Sequence, residues 1–505
     1  MDAAQAFQWM MVLPFAGSLL IYLVGRLVAR KKGEAYTRNP ASWMALVTLA
    51  ASAVAFGLAV PGALAGKTVT WKIGALALSL DGFGALLATV VLGLSIVVTI
   101  FSIVYMRAET GEEKFYALLV AMTGTIAGLG CATDLFNLWV WFEAMAITSY
   151  MLVAFYRQQP ASLEAGVKYL VQSASGSVLV LLAIGLVFAQ SGTLNLVEIR
   201  QAVAHGLTPF YLASGALFLV GFGVKVALVP LHTWLPDAHS QAPSGISAML
   251  SGVVIEAGLV ALLRVLGSLA GSANSWGFFL LGFGAFNMLI GNLMALRQDQ
   301  VKRLLAYSSV SHMGYILLGI GVAAAFGSQA GAAGGFFHII THALMKGLAF
   351  LSAGALLYVL WLSHGSHNPL VRSDLDGAAQ KYPLVAFTFS VALLGLGGLP
   401  PLAGFMSKWQ IFVAGFETGN GWVMALVIFA ALNSVLSLGY YAPLVNRMYR
   451  HEAGEAVKNG NSLPVLIAVP LVLLAAGVVA LGFWPSLVNG LTVPAGQILA
   501  SVFSR

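Results

Sequence analysis

The chain has 505 residues, of which 59% are hydrophobic and 9% charged, and its mean hydropathy is +0.89. That composition excludes an ordinary soluble domain, and so few charges leave no basic face for nucleic acid despite a net charge of +7. The single cysteine, Cys131, excludes an intrachain disulfide and any cysteine-ligated cluster within the chain.

Apolar stretches of about 20 residues, the length that crosses a bilayer, recur from end to end. They predict an all-α polytopic membrane protein with about 14 transmembrane helices. The spans fall near 9–28, 41–60, 82–106, 115–132, 134–156, 165–189, 209–230, 244–268, 276–297, 308–326, 333–361, 383–399, 421–444 and 464–486. Those at 209–230 and 383–399 continue into short second halves near 231–238 and 402–418. Residues 9–28 are expected to stay as a span rather than leave as a cleaved leader, because the basic cluster follows the apolar run. Residues 67–81 partly alternate apolar and polar and read as a short outer hairpin. Residues 192–205, with Asn195, Glu198, Arg200 and His205, read as a surface loop or short helix. No linker divides the chain, so one membrane domain is expected.

With the N-terminus placed outside, sixteen Lys and Arg fall in inside loops, among them Arg26, Lys31, Arg38, Arg107, Lys114, Arg157, Lys302, Arg303 and Lys458. Four fall outside: Lys67, Lys72, Arg200 and Arg505. The excess satisfies the positive-inside rule and predicts a multi-pass protein of the cytoplasmic (inner) membrane with both termini outside.

The chain reads as internally duplicated. Asp134 and Tyr150 bracket one segment, Asp299 and Tyr315 another, with the same spacing and an offset of 165 residues. Pro230 and Pro400 lie about 170 residues apart, each interrupting a span near a basic residue. Proline removes a backbone donor and clashes with the preceding turn, so helices 7 and 12 should break there. Paired breaks at matching positions point to a transport site near the midplane. Five spans per repeat force an inverted relation. The expected layout is 1–110 for the first three helices, 115–268 and 276–444 for the repeats, and 464–505 for the last helix.

Charged side chains inside such spans are costly and mark ion or proton paths by default. Glu143 in span 5 and Lys225 in span 7 offset each other's burial, either as a switchable gate or as a packing ion pair. Lys168 opens span 6, as a relay group or a snorkelling one. His232, Asp237 and His239 cluster after the first break and suit proton uptake; their spacing matches no metal motif. Glu256 in span 8 has no evident partner and is either a relay or a protonated group on a backbone carbonyl. His338 and His342 sit at i, i+4, with Lys346 one turn on. The segment reads HIITH and lacks the glutamate of a zinc-binding HExxH, whereas neutral histidine both donates and accepts. Lys408 sits in the second half of the second broken helix, as a relay or a snorkelling group.

At PLHTWLPDAHSQAP, HIITHALMKGLAFL and GLPPLAGFMSKW the chain resembles the antiporter-like proton-translocating subunits of respiratory complex I, of Mrp-type sodium/proton antiporters and of membrane-bound hydrogenases. The resemblance covers nearly the whole chain. It implies 14 helices, two inverted five-helix repeats, broken helices 7 and 12, and a relay through Glu143, Lys225, His338, His342 and Lys408. Lys168 resembles the span 6 lysine of some members. One departure is clear: related subunits usually carry lysine where this chain has Glu256. The length resembles the two shorter complex I subunits or the Mrp D subunit, and SGTLNL after span 6 leans toward the Mrp and hydrogenase branch. The implied partners are other membrane subunits, protons and, in the antiporter alternative, sodium. No redox or metal cofactor is expected in this chain, which would be the ion-moving part of an enzyme complex.

Overall fold

The structure is a computed structural model that describes residues 2–32, 39–65, 67–74, 76–107, 109–204, 206, 208–270 and 273–503. Arg38, His205 and Arg505 lie outside these residues. A backbone in lipid must satisfy its own hydrogen bonds, so each apolar run forms a helix.

In chain order these are α1 (Ala3–Lys32) and α2 (Ala41–Leu64), then strands β1 (Val69–Ile73) and β2 (Leu76–Leu80), then α3 (Gly82–Tyr105), α4 (Glu112–Gly130) and α5 (Leu135–Val153). Next come α6 (Pro160–Ser191), the short α7 (Leu196–Ala204), α8 (Pro209–Val226) and α9 (Trp234–Gln241). The next span joins α10 (Ser244–Met249) and α11 (Ile255–Ser268) through a π-helical turn at Leu250–Val254. Then follow α12 (Ala273–Leu296), α13 (Val301–Phe326), α14 (Gln329–Leu360), α15 (Ala378–Lys381), α16 (Pro383–Gly397), α17 (Ala403–Glu417) and α18 (Gly421–Arg450). The chain closes with α19 (Glu455–Asn459), α20 (Val465–Phe483) and α21 (Asn489–Phe503). Side-chain caps start several spans: Asp81 accepts from the Gly84 N–H at 2.9 Å and Asp134 from the Asn137 N–H at 2.7 Å. The expected hairpin is present, with β1 antiparallel to β2 and Val69 opposite Leu80.

Thirteen helical segments among the described residues are long and apolar enough to cross a membrane. Two expected spans fall outside that set. Glu112, Glu113 and Lys114 crowd the first turn of α4, and the break leaves α16 and α17 with 15 residues each. One segment inside the set, 485–503, was not expected. It lies across helix ends: a Cβ on Gly82, first residue of α3, would stand 2.7 Å from the Pro494 backbone. One on Gly267, near the end of α11, would stand 2.0 Å from Val502, and Gly496 faces Ala332 in the first turn of α14. Arg200 of α7 donates to the Ser501 carbonyl. The segment is therefore a lateral strap on the rim opposite the basic loops.

The joined α10–α11 span is wholly buried, and α13 and α14 nearly so. They form the centre. Outer helices expose large apolar side chains such as Leu19, Val47, Val178, Phe286 and Val435, as a face turned to lipid requires. The same small bridge occurs on both rims. At one, Leu135 N–H bonds to Leu194 O and Leu196 N–H to Thr133 O; at the other, Val301 N–H bonds to Leu370 O and Arg372 N–H to Asp299 O.

Candidate functional site

Both expected helix breaks are present. The α8 helix ends at Ala227, whose φ of 59° makes it the one non-glycine with positive φ among the described residues. The α16 helix ends at Gly398, with φ of 82°. A break inside a membrane frees backbone groups that need partners. At the first break Asn287 of α12 supplies them: its Nδ2 donates to the Ala227 carbonyl at 3.1 Å and its Oδ1 accepts from the Val229 N–H at 2.8 Å. At the second, Lys408 donates to the Leu396 carbonyl at 2.8 Å and Ser434 to the Gly397 carbonyl at 3.0 Å.

Lys225 lies in the last turn of α8, buried to 1% exposure. Its Nζ donates to Tyr169 OH at 2.9 Å and Ser173 Oγ at 3.2 Å, and stands 4.5 Å from the Tyr169 ring centre. Tyr169 bonds Ser149 Oγ at 2.8 Å and stacks on Trp234 at 3.9 Å. The Lys225 stem runs past Gly258, where a Cβ would come within 2.9 Å of its Cγ. Glu143 does not reach it. One carboxyl oxygen of Glu143 is buried without a hydrogen-bond partner among the described residues, so the expected ion pair is replaced by a lysine held on hydroxyls. Lys408 is built in the same way: its Nζ donates to Ser434 Oγ at 2.8 Å and stands 4.4 Å from the Tyr315 ring centre.

The centre joins the two halves. Glu256 follows the π-helical turn of the joined span, a feature that often marks functional sites. Gly252, inside that turn, permits close approach: a Cβ there would stand 3.2 Å from Ala343 Cα of α14. The approach brings Glu256 Oε1 to 2.7 Å from His342 Nδ1, both side chains having no exposure. Glu256, for which the sequence offered no evident partner, meets a side chain from the opposite half. His312 Nδ1 is 3.1 Å from His338 Nε2, and its ring centre is 5.3 Å from that of His342. His338 Nδ1 continues to Ser407 Oγ at 2.8 Å, one residue before Lys408, and Thr341 donates to the same hydroxyl. Lys346, fully buried, donates to the Leu305 carbonyl at 2.8 Å and to Ser308 Oγ.

Toward the basic rim, Lys168 does not enter the buried set. It is half exposed and bridges Glu164 at 2.7 Å and Asp237 at 3.1 Å. Asp237 also meets Arg303 at 2.5 Å. His239 is fully buried and stacked on Phe350, and both its ring nitrogens lack partners among the described residues. His232, nearly buried, lies edge-on to Tyr307. Lys302, expected in a loop, is buried in the first turn of α13 and donates to the Ala242 carbonyl. A cavity of about 250 Å³ opens beside it, lined by Tyr105, Tyr156, Gln241 and His367. His367, in the loop beyond α14, bonds Glu109 at 3.1 Å, and that bond raises its pKa above the ordinary 6.5. No group of three His, Cys, Asp or Glu among the described residues is placed to hold a metal.

Sequence reading missed three contributors. His312 closes the histidine chain, and its signal was present: a histidine inside an otherwise apolar span. Lys302 sat too near a predicted loop, and Asn287 carries no charge to draw notice.

Residues 132–434 match the family described as NADH:quinone oxidoreductase/Mrp antiporter, TM, and residues 74–116 match NADH-Ubiquinone oxidoreductase (complex I), chain 5 N-terminus. The chain is 33% identical over 494 residues to F(420)H(2) dehydrogenase subunit N of Methanosarcina mazei, covering 96% of this chain and 97% of that one. It is 33% identical over 421 residues to NADH-quinone oxidoreductase subunit N 2 of Roseiflexus castenholzii, covering 81% and 82%. Among solved structures it superposes on a chain of an archaeal membrane-bound sulfane sulfur reductase with a TM-score of 0.87 at 27% identity, covering 99% and 98%. A chain of respiratory complex I from Thermus thermophilus gives 0.75 at 26%, covering 96% and 100%. A chain of the Mrp complex from Dietzia gives 0.83 at 24%, covering 97% and 98%, a likeness of fold. Buried charges on paired broken helices and the match over most of its length agree: the chain belongs to the NADH:quinone oxidoreductase/Mrp antiporter membrane-subunit family.

Proposed function

We propose that this chain is the proton-translocating, antiporter-like subunit of a redox-driven membrane complex of the NADH:quinone oxidoreductase or F(420)H(2) dehydrogenase kind. The observation that carries the reading is the buried run Glu256, His342, His312, His338 and Ser407, drawn from four spans. Neutral imidazole accepts at one nitrogen and donates at the other, so a proton taken up on one side of a ring is released on the other. Glu256 and His342 exchange a proton directly. The step from His342 to His312 crosses 5.3 Å between ring centres and needs a ring turn or one bridging water. Ser407 then delivers toward Lys408.

In this reading Lys302, His239 and Lys346 feed the centre from the basic rim, with His232 at the first break. Glu143 and Lys225 form the matching station of the first half, and Lys168 with Asp237 tunes its edge. The redox cofactors belong to other subunits, which are the partners of this chain. The 16-to-4 distribution of Lys and Arg supports a cytoplasmic membrane with both termini outside. The paired breaks and the matched bridges on opposite rims support two inverted repeats, at 115–268 and 276–444.

The test is His312→Leu in the assembled complex in proteoliposomes. Proton uptake per electron should collapse while the complex stays assembled. Unchanged proton uptake would remove the histidine run from the path. Sodium-for-proton exchange without any redox substrate would move the chain to the Mrp-type reading.

A further inference from the structure

A crevice of about 580 Å³ opens at the basic rim between α1, α4 and α5. Its mouth carries Thr110, Lys114 and Arg157, and Leu19, Leu118 and Phe155 line it below. Ser18, deeper in, is already satisfied by the Ala117 carbonyl at 2.8 Å. Three acids share the stretch around Lys114, and each faces elsewhere. Glu109 accepts from His367 at 3.1 Å, Glu113 meets Arg26 at 3.6 Å, and Glu112 is buried in the first turn of α4. Lys114 and Arg157 form no ion pair among the described residues. Two unneutralised cations thus stand at the end of the spans, above an apolar crevice that faces the lipid side of α1, where Leu19 is 65% exposed.

Basic pockets between spans at this rim suit anionic headgroups. We propose that the crevice binds one anionic glycerophospholipid, its phosphodiester on Lys114 and Arg157 and an acyl chain along Leu19, Leu118 and Phe155. A free phosphate would use the cations and leave the apolar walls uncovered. A zwitterionic phospholipid would use the walls and waste the net positive charge. The anionic diacyl lipid answers both features.

The test uses the purified complex containing the full chain, stripped of lipid in detergent and re-exposed to phosphatidylglycerol. Native mass spectrometry counts the lipid retained. Wild-type complex should retain one phosphatidylglycerol more than the double variant Lys114→Gln/Arg157→Gln, whose affinity falls roughly thirtyfold for two lost cations. Leu118→Trp should evict the same lipid with both cations in place. Assembly of each variant is checked by size exclusion, and Lys114→Gln alone serves where the double variant does not assemble, with a smaller loss. Equal retention in wild type and variants overturns the proposal. So does phosphatidylcholine retained as strongly as phosphatidylglycerol, displacement by inorganic phosphate, or a protein subunit found filling the crevice.

Discussion

Glu256→Gln is the most searching perturbation of the proposed path. The carboxyl lies 2.7 Å from His342 Nδ1, both side chains have no exposure, and the second oxygen has no partner among the described residues. Gln keeps the shape and one hydrogen bond, so packing should hold. What it loses is access to an ion-paired state, a Glu256 carboxylate against a His342 imidazolium, through which a proton would pass between the two. With charge centres about 4 Å apart and an effective dielectric of about 20, that arrangement is stabilised by about 4 kcal/mol. At 25 °C this is about three powers of ten in the occupancy of the charged pair. If the pair is an obligatory step, proton transfer through His342 should slow by a similar factor in Glu256→Gln. The assay is proton uptake per electron in proteoliposomes, read with an entrapped pH dye, beside the electron-transfer rate of the same assembled complex. Glu256→Lys should fall between the two, because it restores a titratable group of the kind that the family resemblance leads one to expect there. Full pumping in assembled Glu256→Gln would refute the reasoning and leave Glu256 as a packing group.

In the first half, Lys225→Ala and Glu143→Gln should each abolish coupled pumping with assembly retained; wild-type coupling in either would dismiss that half as a station. Asn287→Leu leaves the Ala227 carbonyl and Val229 N–H buried without their partner, each costing about 1–3 kcal/mol. The complex should melt at a lower temperature, and an unchanged melting curve would show that the break needs no clamp. His367 gains stability from Glu109, and its raised pKa fixes the sign. The contribution is present in full below the ordinary 6.5 and fades as pH rises through the elevated value. The melting difference between wild type and His367→Gln should therefore be largest at acid pH and close in alkali; a gap independent of pH would contradict the pairing.

Much of this architecture was legible in the sequence because the bilayer enforces simple rules. Apolar length sets a span, a proline among apolar residues breaks it, and a charge inside it needs a reason. Those rules placed both broken helices and the titratable face of α14, and the apolar/polar alternation of residues 67–81 placed the hairpin. They failed where length and composition did not decide direction. Residues 485–503 are apolar enough to cross, yet α3, α11 and α14 present their ends to α21, so it lies flat. Lys302 follows a predicted loop, but the helix begins at Val301 and its first turn points inward to the Ala242 carbonyl.

Partnership was decided by tertiary structure alone. The spacing of His338 and His342 follows from one helix, since residues four apart share a face. That His312 sits against His338, that Glu256 meets His342, and that Lys225 rests on Tyr169 rather than on Glu143 depend on which spans touch and at what height. Contacts between helices are set by small residues such as Gly252, which let two backbones close to a few ångströms. A linear pattern carries the period of each helix but not its rotation and depth against a neighbour, and the proposed proton path is made of those two quantities.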